Sequence, residues 1–343
     1  MPVCVAGMHR SGTSLVARLL AASGLDGGPP SELVVPAPDN PEGFGENLRF
    51  LRLNDEILAR FGGTWDRPPV LRPGWTGDRR LASLRREAAA LVGRFGSDRP
   101  WFWKDPRNSL TLPFWREMMP DLRVVLCLRD PREVMASLWR RRQVVGPAGW
   151  ALWLTYNSHA LASVPRDHLV VTHHEAYLHD AAAELERVVE ALGLTVDARR
   201  LAHAVATVSP RRRVHGGAPA GAEAAMPAEV GALYRVLCAG AGPVWARARD
   251  AEARAGSRAS APPSGSRPSP ARRGLLIWGM HAVRRVWRQE GARALARVMT
   301  LRIRSQLRLA RRHLGRRAPR SSPPLAIARG DGTEPTGARP RAS

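Results

Sequence analysis

The stretch Val3–Leu20, VCVAGMHRSGTSLVARLL, decides the fold. Val3–Ala6 is a short apolar run of the β type, and Ser14–Ser23 is an apolar segment of helical character. Between them lies a turn in which Gly7 and Gly12 are separated by four residues. A strand that enters a helix through a Gly-containing loop turns several backbone N–H groups toward one point at the helix N-terminus. Such a point is suited to a phosphate. Arg10 adds a cation inside the loop.

Working outward, the same alternation continues to about residue 245. Trp101–Trp103, Val124–Leu128 and His168–Thr172 read as further strands. Glu133–Arg142, which Pro131 can start, reads as a helix, as do Gly149–Ala162, Ala181–Leu192 (stopped by Gly193) and Glu229–Ala239. Strands separated by helices predict a P-loop-like α/β fold: a mainly parallel sheet with helices on both faces. Residues 1–245 form the expected nucleotide-binding domain. Ala, Ser, Pro, Gly and Arg then take over, so a disordered linker is expected over 246–274, a basic amphipathic helical segment over 275–317, and a disordered tail over 318–343.

The chain has 343 residues and a formal net charge of +23. That charge is unevenly placed. Residues 251–343 carry 21 arginines against four acidic residues, a net of +17, while the first 250 residues are nearly balanced at +6. Lysine occurs once, at Lys104, and the other 52 basic residues are arginine. The three cysteines, Cys4, Cys127 and Cys238, are too few and too scattered for a disulfide framework or a Cys-rich metal site. No secretion signal opens the chain and no apolar run reaches about 18 residues, so a cytoplasmic protein is expected.

The loop has the Gly-x-x-x-x-Gly spacing of a Walker A motif, but Thr13 stands where its lysine belongs, followed by Ser14. A nucleoside triphosphate uses that lysine on its β- and γ-phosphates. This loop suits a phosphate with no γ-phosphate to transfer. A second stretch, VVLCLRDPREVMASLWRR, places Arg129 at the C-terminal end of a strand and Ser137 eight residues later on the following helix. Ligands of open α/β sheets bind at those strand ends, and a guanidinium with a hydroxyl makes a sound anion site. Taken alone, Arg129 could instead pair with Asp130 or Glu133.

Together the two motifs resemble the PAPS-dependent sulfotransferases, over residues 3–195. GMHRSGTS is similar to the family's 5′-phosphosulfate loop and RDPREVMAS to its 3′-phosphate motif. Arg10 together with WKDPR is closest to bacterial sulfotransferases and to tyrosylprotein and glycan sulfotransferases. The resemblance implies transfer of a sulfuryl group from 3′-phosphoadenosine 5′-phosphosulfate (PAPS), with no metal, to a hydroxyl of a glycan, glycolipid or small molecule. It implies donor contacts from Arg10, Ser11, Gly12, Thr13, Ser14, Arg129 and Ser137. Arg10 would act electrostatically on the leaving phosphate, since an arginine does not give up its proton. Lys104, the one compact ammonium, is expected on the transferring sulfuryl oxygens, with Asp105 and Arg107 beside it. For the base, NPEGFGENLRFLRLND resembles the region where glycan sulfotransferases place a glutamate: Glu46 is the first choice, Glu42 also qualifies, and His9 is the rival.

Trp65 and Trp75, in a polar Pro/Gly-rich run, are candidates for the acceptor site, and Pro210–Arg213 could reach the nucleotide's 3′ side. The basic segment 275–317, with Trp278 and Trp287, is suited to lie on an anionic membrane surface. No specific nucleic-acid module is present. Two rival readings remain: a P-loop kinase, disfavoured by Thr13, and a non-catalytic nucleotide-fold protein docking to a membrane or polyanion through its arginines.

Overall fold

Side chains of a buried strand alternate between the two faces of its sheet, and here that alternation divides the core in two. The computed structural model describes residues 1–35, 43, 45–96, 99–142, 146–208 and 226–259. In chain order the elements are β1 (Pro2–Ala6), α1 (Thr13–Ala22), α2 (Leu48–Arg60), α3 (Ala82–Val92), β2 (Trp101–Lys104), α4 (Asn108–Met118) and β3 (Arg123–Leu128). They continue as α5 (Pro131–Arg142), α6 (Gly146–Ser163), β4 (Leu169–His173), α7 (His174–Ala191), α8 (Ala198–Ala206), α9 (Ala228–Ala239) and α10 (Gly242–Ala259).

All strand pairs are parallel, in the order β2-β1-β3-β4. Val3, Val5, Val125 and Cys127 face one layer, where they meet Val16, Leu19 and Leu20 of α1 and Leu185 and Val188 of α7. Cys4, Ala6, Val124 and Leu126 face the other, which draws on α2, α3, α4, α6, α9 and α10. That second layer is aromatic. Phe50 stacks on Trp103 at 4.9 Å, Phe95 stacks on Trp101 at 4.3 Å, and Trp115 lies 5.2 Å from Phe50. The expected parallel sheet covered on both faces is what the chain builds.

Chain order sets the position of the site. From β1 the chain crosses to β2 on one side, then returns to β3 on the other. The loops after β1 and β3 therefore diverge and leave a crevice at the C-terminal ends of the strands, where ligands of such sheets bind.

A linker was expected from 246, yet α10 continues to Ala259. Its sequence, GPVWARARDAEARAGSRA, is rich in alanine and arginine, both strong helix formers, and Val244, Trp245 and Ala248 are buried in the core. The rest of the expected linker, the basic segment 275–317 and the tail 318–343 lie outside the described residues, as do Glu42 and Pro210–Arg213. Among the described residues, no helix is long and apolar enough to cross a membrane.

Candidate functional site

The loop after β1 is shaped by positions that tolerate little change. Gly7 has φ +139°, and a Cβ there would lie 2.5 Å from the Cys127 carbonyl oxygen of β3. Its N–H donates to Ser109 Oγ at 2.9 Å. Gly12, at φ +91°, begins α1 with no side-chain cap, which leaves the first-turn N–H groups facing the loop. A Cβ on Gly12 would come within 2.8 Å of His174 Cδ2. Arg10 has a left-handed backbone, φ 72°, unique among the non-glycine described residues. Strain of that kind persists where surrounding contacts enforce it.

Arg10 Nε donates to Ser137 Oγ at 2.8 Å, across 127 residues of sequence. This bond joins the two motifs that the sequence reading set apart as phosphate sites. Ser11 is buried, and its hydroxyl has no hydrogen-bond partner among the described residues. Arg129 emerges from the end of β3, and its Nε donates to Glu133 at 2.7 Å. The ion pair read from sequence as an alternative to a phosphate contact is therefore present.

On the other side of the loop, β2 ends in Lys104, which is paired in register with Val5 of β1. Its Nζ lies 2.5 Å from Glu46 Oε1, so the expected ammonium and the first-choice base meet in one buried pair. Lys104 is 1% exposed. Burial pushes the Glu46 carboxyl above its ordinary range, with the nearby ammonium of Lys104 opposing the shift. The same burial pulls the Lys104 ammonium down, against the pull of Glu46 and Asp105. The second carboxylate oxygen of Glu46 is buried without a hydrogen-bond partner among the described residues.

Asp105 and Arg107 hold this corner together. Asp105 is fully buried and accepts from Asn54 Nδ2 at 2.8 Å and from the Arg107 N–H at 3.0 Å. Arg107 also pairs with Asp55, at 2.6 Å. Asn54 was not picked out from sequence, yet it is the hub. It donates to Asp105 and Asn108, and its Oδ1 accepts from Thr111 at 2.7 Å and from Trp115 Nε1 at 2.9 Å.

His9, the rival base, has its ring 4.5 Å from Trp65 and 5.7 Å from Tyr156. Tyr156 donates to the Trp65 carbonyl at 2.8 Å, which fixes Trp65 beside the loop. Trp75 instead packs edge-on against Phe61 at 5.5 Å, so of the two candidate tryptophans only Trp65 reaches the loop.

The end of β4 adds residues that the sequence reading missed. His173 stacks on Trp245 at 3.6 Å and accepts from the Glu175 N–H, while its Nε2 lies 3.0 Å from Tyr234 Oη. Burial holds its pKa down to about 3, so it is neutral. His174 lies against Gly12, with Nδ1 3.2 Å from Glu175 Oε1. The available signal was His-His-Glu immediately after an apolar strand.

A model of the sulfotransferase family matches residues 2–198. The chain belongs to the sulfotransferase family. Solved structures similar to this sulfotransferase include the sulfotransferase domain of the Synechococcus PCC 7002 olefin synthase, 18% identical with a TM-score of 0.42, covering 69% of this chain and 94% of that one. Sulfotransferase STF9 from Mycobacterium avium is also 18% identical, with a TM-score of 0.38 over 59% of this chain and 66% of its own. Sulfotransferase STF1 from Mycobacterium tuberculosis H37Rv is 19% identical, with a TM-score of 0.34 over 61% and 71%. No curated protein matches this chain in sequence. The family match ends before α9 and α10, so Tyr234 and Trp245, which hold His173, come from outside it.

Proposed function

We propose that this sulfotransferase uses PAPS as its donor and transfers the sulfuryl group to a hydroxyl of a carbohydrate, glycolipid or small-molecule acceptor. The observation that carries the reading is the 2.8 Å bond between Arg10 and Ser137, which brings a phosphate loop without a Walker lysine to a second anion motif. Two anion sites side by side suit a donor with phosphates on both its 5′ and 3′ positions.

The geometry supports the following roles. N–H groups of Ser11, Gly12, Thr13 and Ser14 hold the 5′-phosphate at the start of α1, and the buried Ser11 hydroxyl gains a partner there. Arg10 stabilises the charge that develops on the leaving phosphate oxygen. Arg129 and Ser137 bind the 3′-phosphate. Glu46 takes the proton from the acceptor hydroxyl as its oxygen bonds to sulfur, and the bond from sulfur to the 5′-phosphate oxygen breaks with its electron pair leaving on the phosphate. Lys104 meets the sulfuryl oxygens during this exchange. Trp65, fixed beside the loop, offers the acceptor a flat aromatic surface.

Thermal denaturation with 3′-phosphoadenosine 5′-phosphate, with ATP and magnesium, and with neither tests the donor. The bisphosphate is expected to raise Tm by roughly 5–10 °C at about 100 times its Kd, without magnesium. Stabilisation by ATP and magnesium alone would overturn the reading in favour of a kinase.

A further inference from the structure

Glu133 and Ser137 are one helical turn apart on α5, so they share a face. Each receives an arginine from one of the two anion motifs: Arg129 Nε on Glu133 at 2.7 Å, and Arg10 Nε on Ser137 at 2.8 Å. The two acceptors differ in kind. A hydroxyl can accept from Arg10 and still donate to a phosphate, whereas a carboxylate can only accept and carries the charge of the ligand itself.

We infer that Glu133 is a built-in stand-in for the donor's 3′-phosphate: it holds Arg129 in its binding pose while the site is empty and competes with the 3′-phosphate for that arginine. The inference rests on the donor reading above. Exposure supports the direction of exchange. The Arg129 side chain is 14% exposed and Glu133 is 38% exposed, so the arginine is the fixed partner and the carboxylate has solvent to move into. Glu133 lies in the first turn of α5, where the helix dipole favours a negative charge with or without Arg129. The Glu133 carboxylate therefore remains favourably placed after displacement. A phosphate arriving at Arg129 with Glu133 still in place would set two anions against one guanidinium. Of the other described carboxylates near Arg129, Asp130 is held by Arg132 at 2.6 Å and Glu175 lies 3.2 Å from His174.

Glu133 would thus lower affinity for the 3′-phosphorylated nucleotide in exchange for a preordered arginine. Calorimetric titration of 3′-phosphoadenosine 5′-phosphate and of adenosine 5′-phosphate, at one ionic strength, tests this in wild type, Glu133→Gln and Glu133→Asp. Glu133→Gln is expected to tighten binding of the bisphosphate by about three- to tenfold and to leave adenosine 5′-phosphate unchanged. Glu133→Asp, shorter by one methylene and still charged, should give a smaller gain confined to the bisphosphate. Weaker binding of the bisphosphate in Glu133→Gln would overturn the inference, because Glu133 would then be orienting Arg129 in the bound state. Equal changes for both nucleotides would overturn it too, as a general charge effect. A wild type that prefers neither nucleotide would instead remove the donor reading, and this inference with it.

Discussion

The phosphate loop is flanked by two charged corners built in opposite ways. On the β2 side, Lys104 and Glu46 are sealed in the core, with Asn54, Asp105 and Asn108 locked behind them. On the β3 side, Arg129 and Arg10 rest on Glu133 and Ser137 along one face of α5, and Glu133 is open to solvent. A proton acceptor needs a dry setting that raises its pKa and a fixed position, since small displacements are costly in catalysis. A donor site must empty after each turnover, and partners that can be exchanged serve that need. On the function proposed above, chemistry belongs to the buried corner and donor exchange to the half-open one.

The strongest way to break this division is Glu46→Gln. The amide keeps the shape and a weaker contact to Lys104 but accepts no proton, so kcat should fall by about 10²- to 10⁴-fold with donor affinity nearly unchanged. Full kcat in Glu46→Gln together with its loss in His9→Ala would move the base to the loop. The pH profile of wild type provides a second reading. Burial raises the Glu46 carboxyl, and only its ionised form is a base. The acidic limb of kcat/KM is therefore expected above the ordinary glutamate value of about 4.3, and activity is lost as pH falls through it. Glu46→Gln should remove that limb.

Asn54→Ala tests whether the buried corner is a scaffold as well as a site. The change strips a partner from Asp105, Asn108, Thr111 and Trp115 at once, all within the core. A loss of about 2–4 kcal/mol in unfolding free energy is expected by chemical denaturation. Donor binding at the opposite corner should change far less. Equal damage at both corners would show them to be one unit.

How much of this was legible in the sequence depended on whether the signal was local. The strands and the loop were, because β1, β2 and β3 are short apolar runs and Gly7 and Gly12 are spaced for a phosphate turn. The later helix was expected to start at Ala181, and there the chain does restart: Asp180 has non-helical φ/ψ and accepts from the Ala183 N–H at 3.0 Å. α2 and α4 were not foreseen. Asn47, which caps α2, sits in a run rich in Gly and Pro, and α4 carries Pro113 inside it. Asn54 could not be found, since nothing local distinguishes a buried asparagine with four partners from a solvated one. The meeting of Lys104 with Glu46, 58 residues apart, was likewise invisible until the fold closed. His173 required Tyr234 and Trp245, which arrive from helices far along the chain.

The smallest effect probes the half-open corner at its tightest contact. Ser137→Ala removes the acceptor of Arg10 Nε and one donor to the proposed 3′-phosphate, while the buried residue, 5% exposed, loses little packing. A neutral hydrogen bond contributes about 0.5–1.5 kcal/mol, and somewhat more when one partner is charged. Ser137→Ala should therefore raise the KM for the donor by about three- to tenfold and shift Tm by no more than a few degrees. A further consequence separates this from simple loss of a phosphate contact. Arg10 keeps a left-handed backbone, φ 72°, and Ser137 is one of the contacts that hold its side chain in place. Without that contact Arg10 can turn from the leaving oxygen, so kcat should fall modestly as well. A rise in KM with kcat untouched would confine Ser137 to donor binding and leave the strained Arg10 to be held by the loop itself.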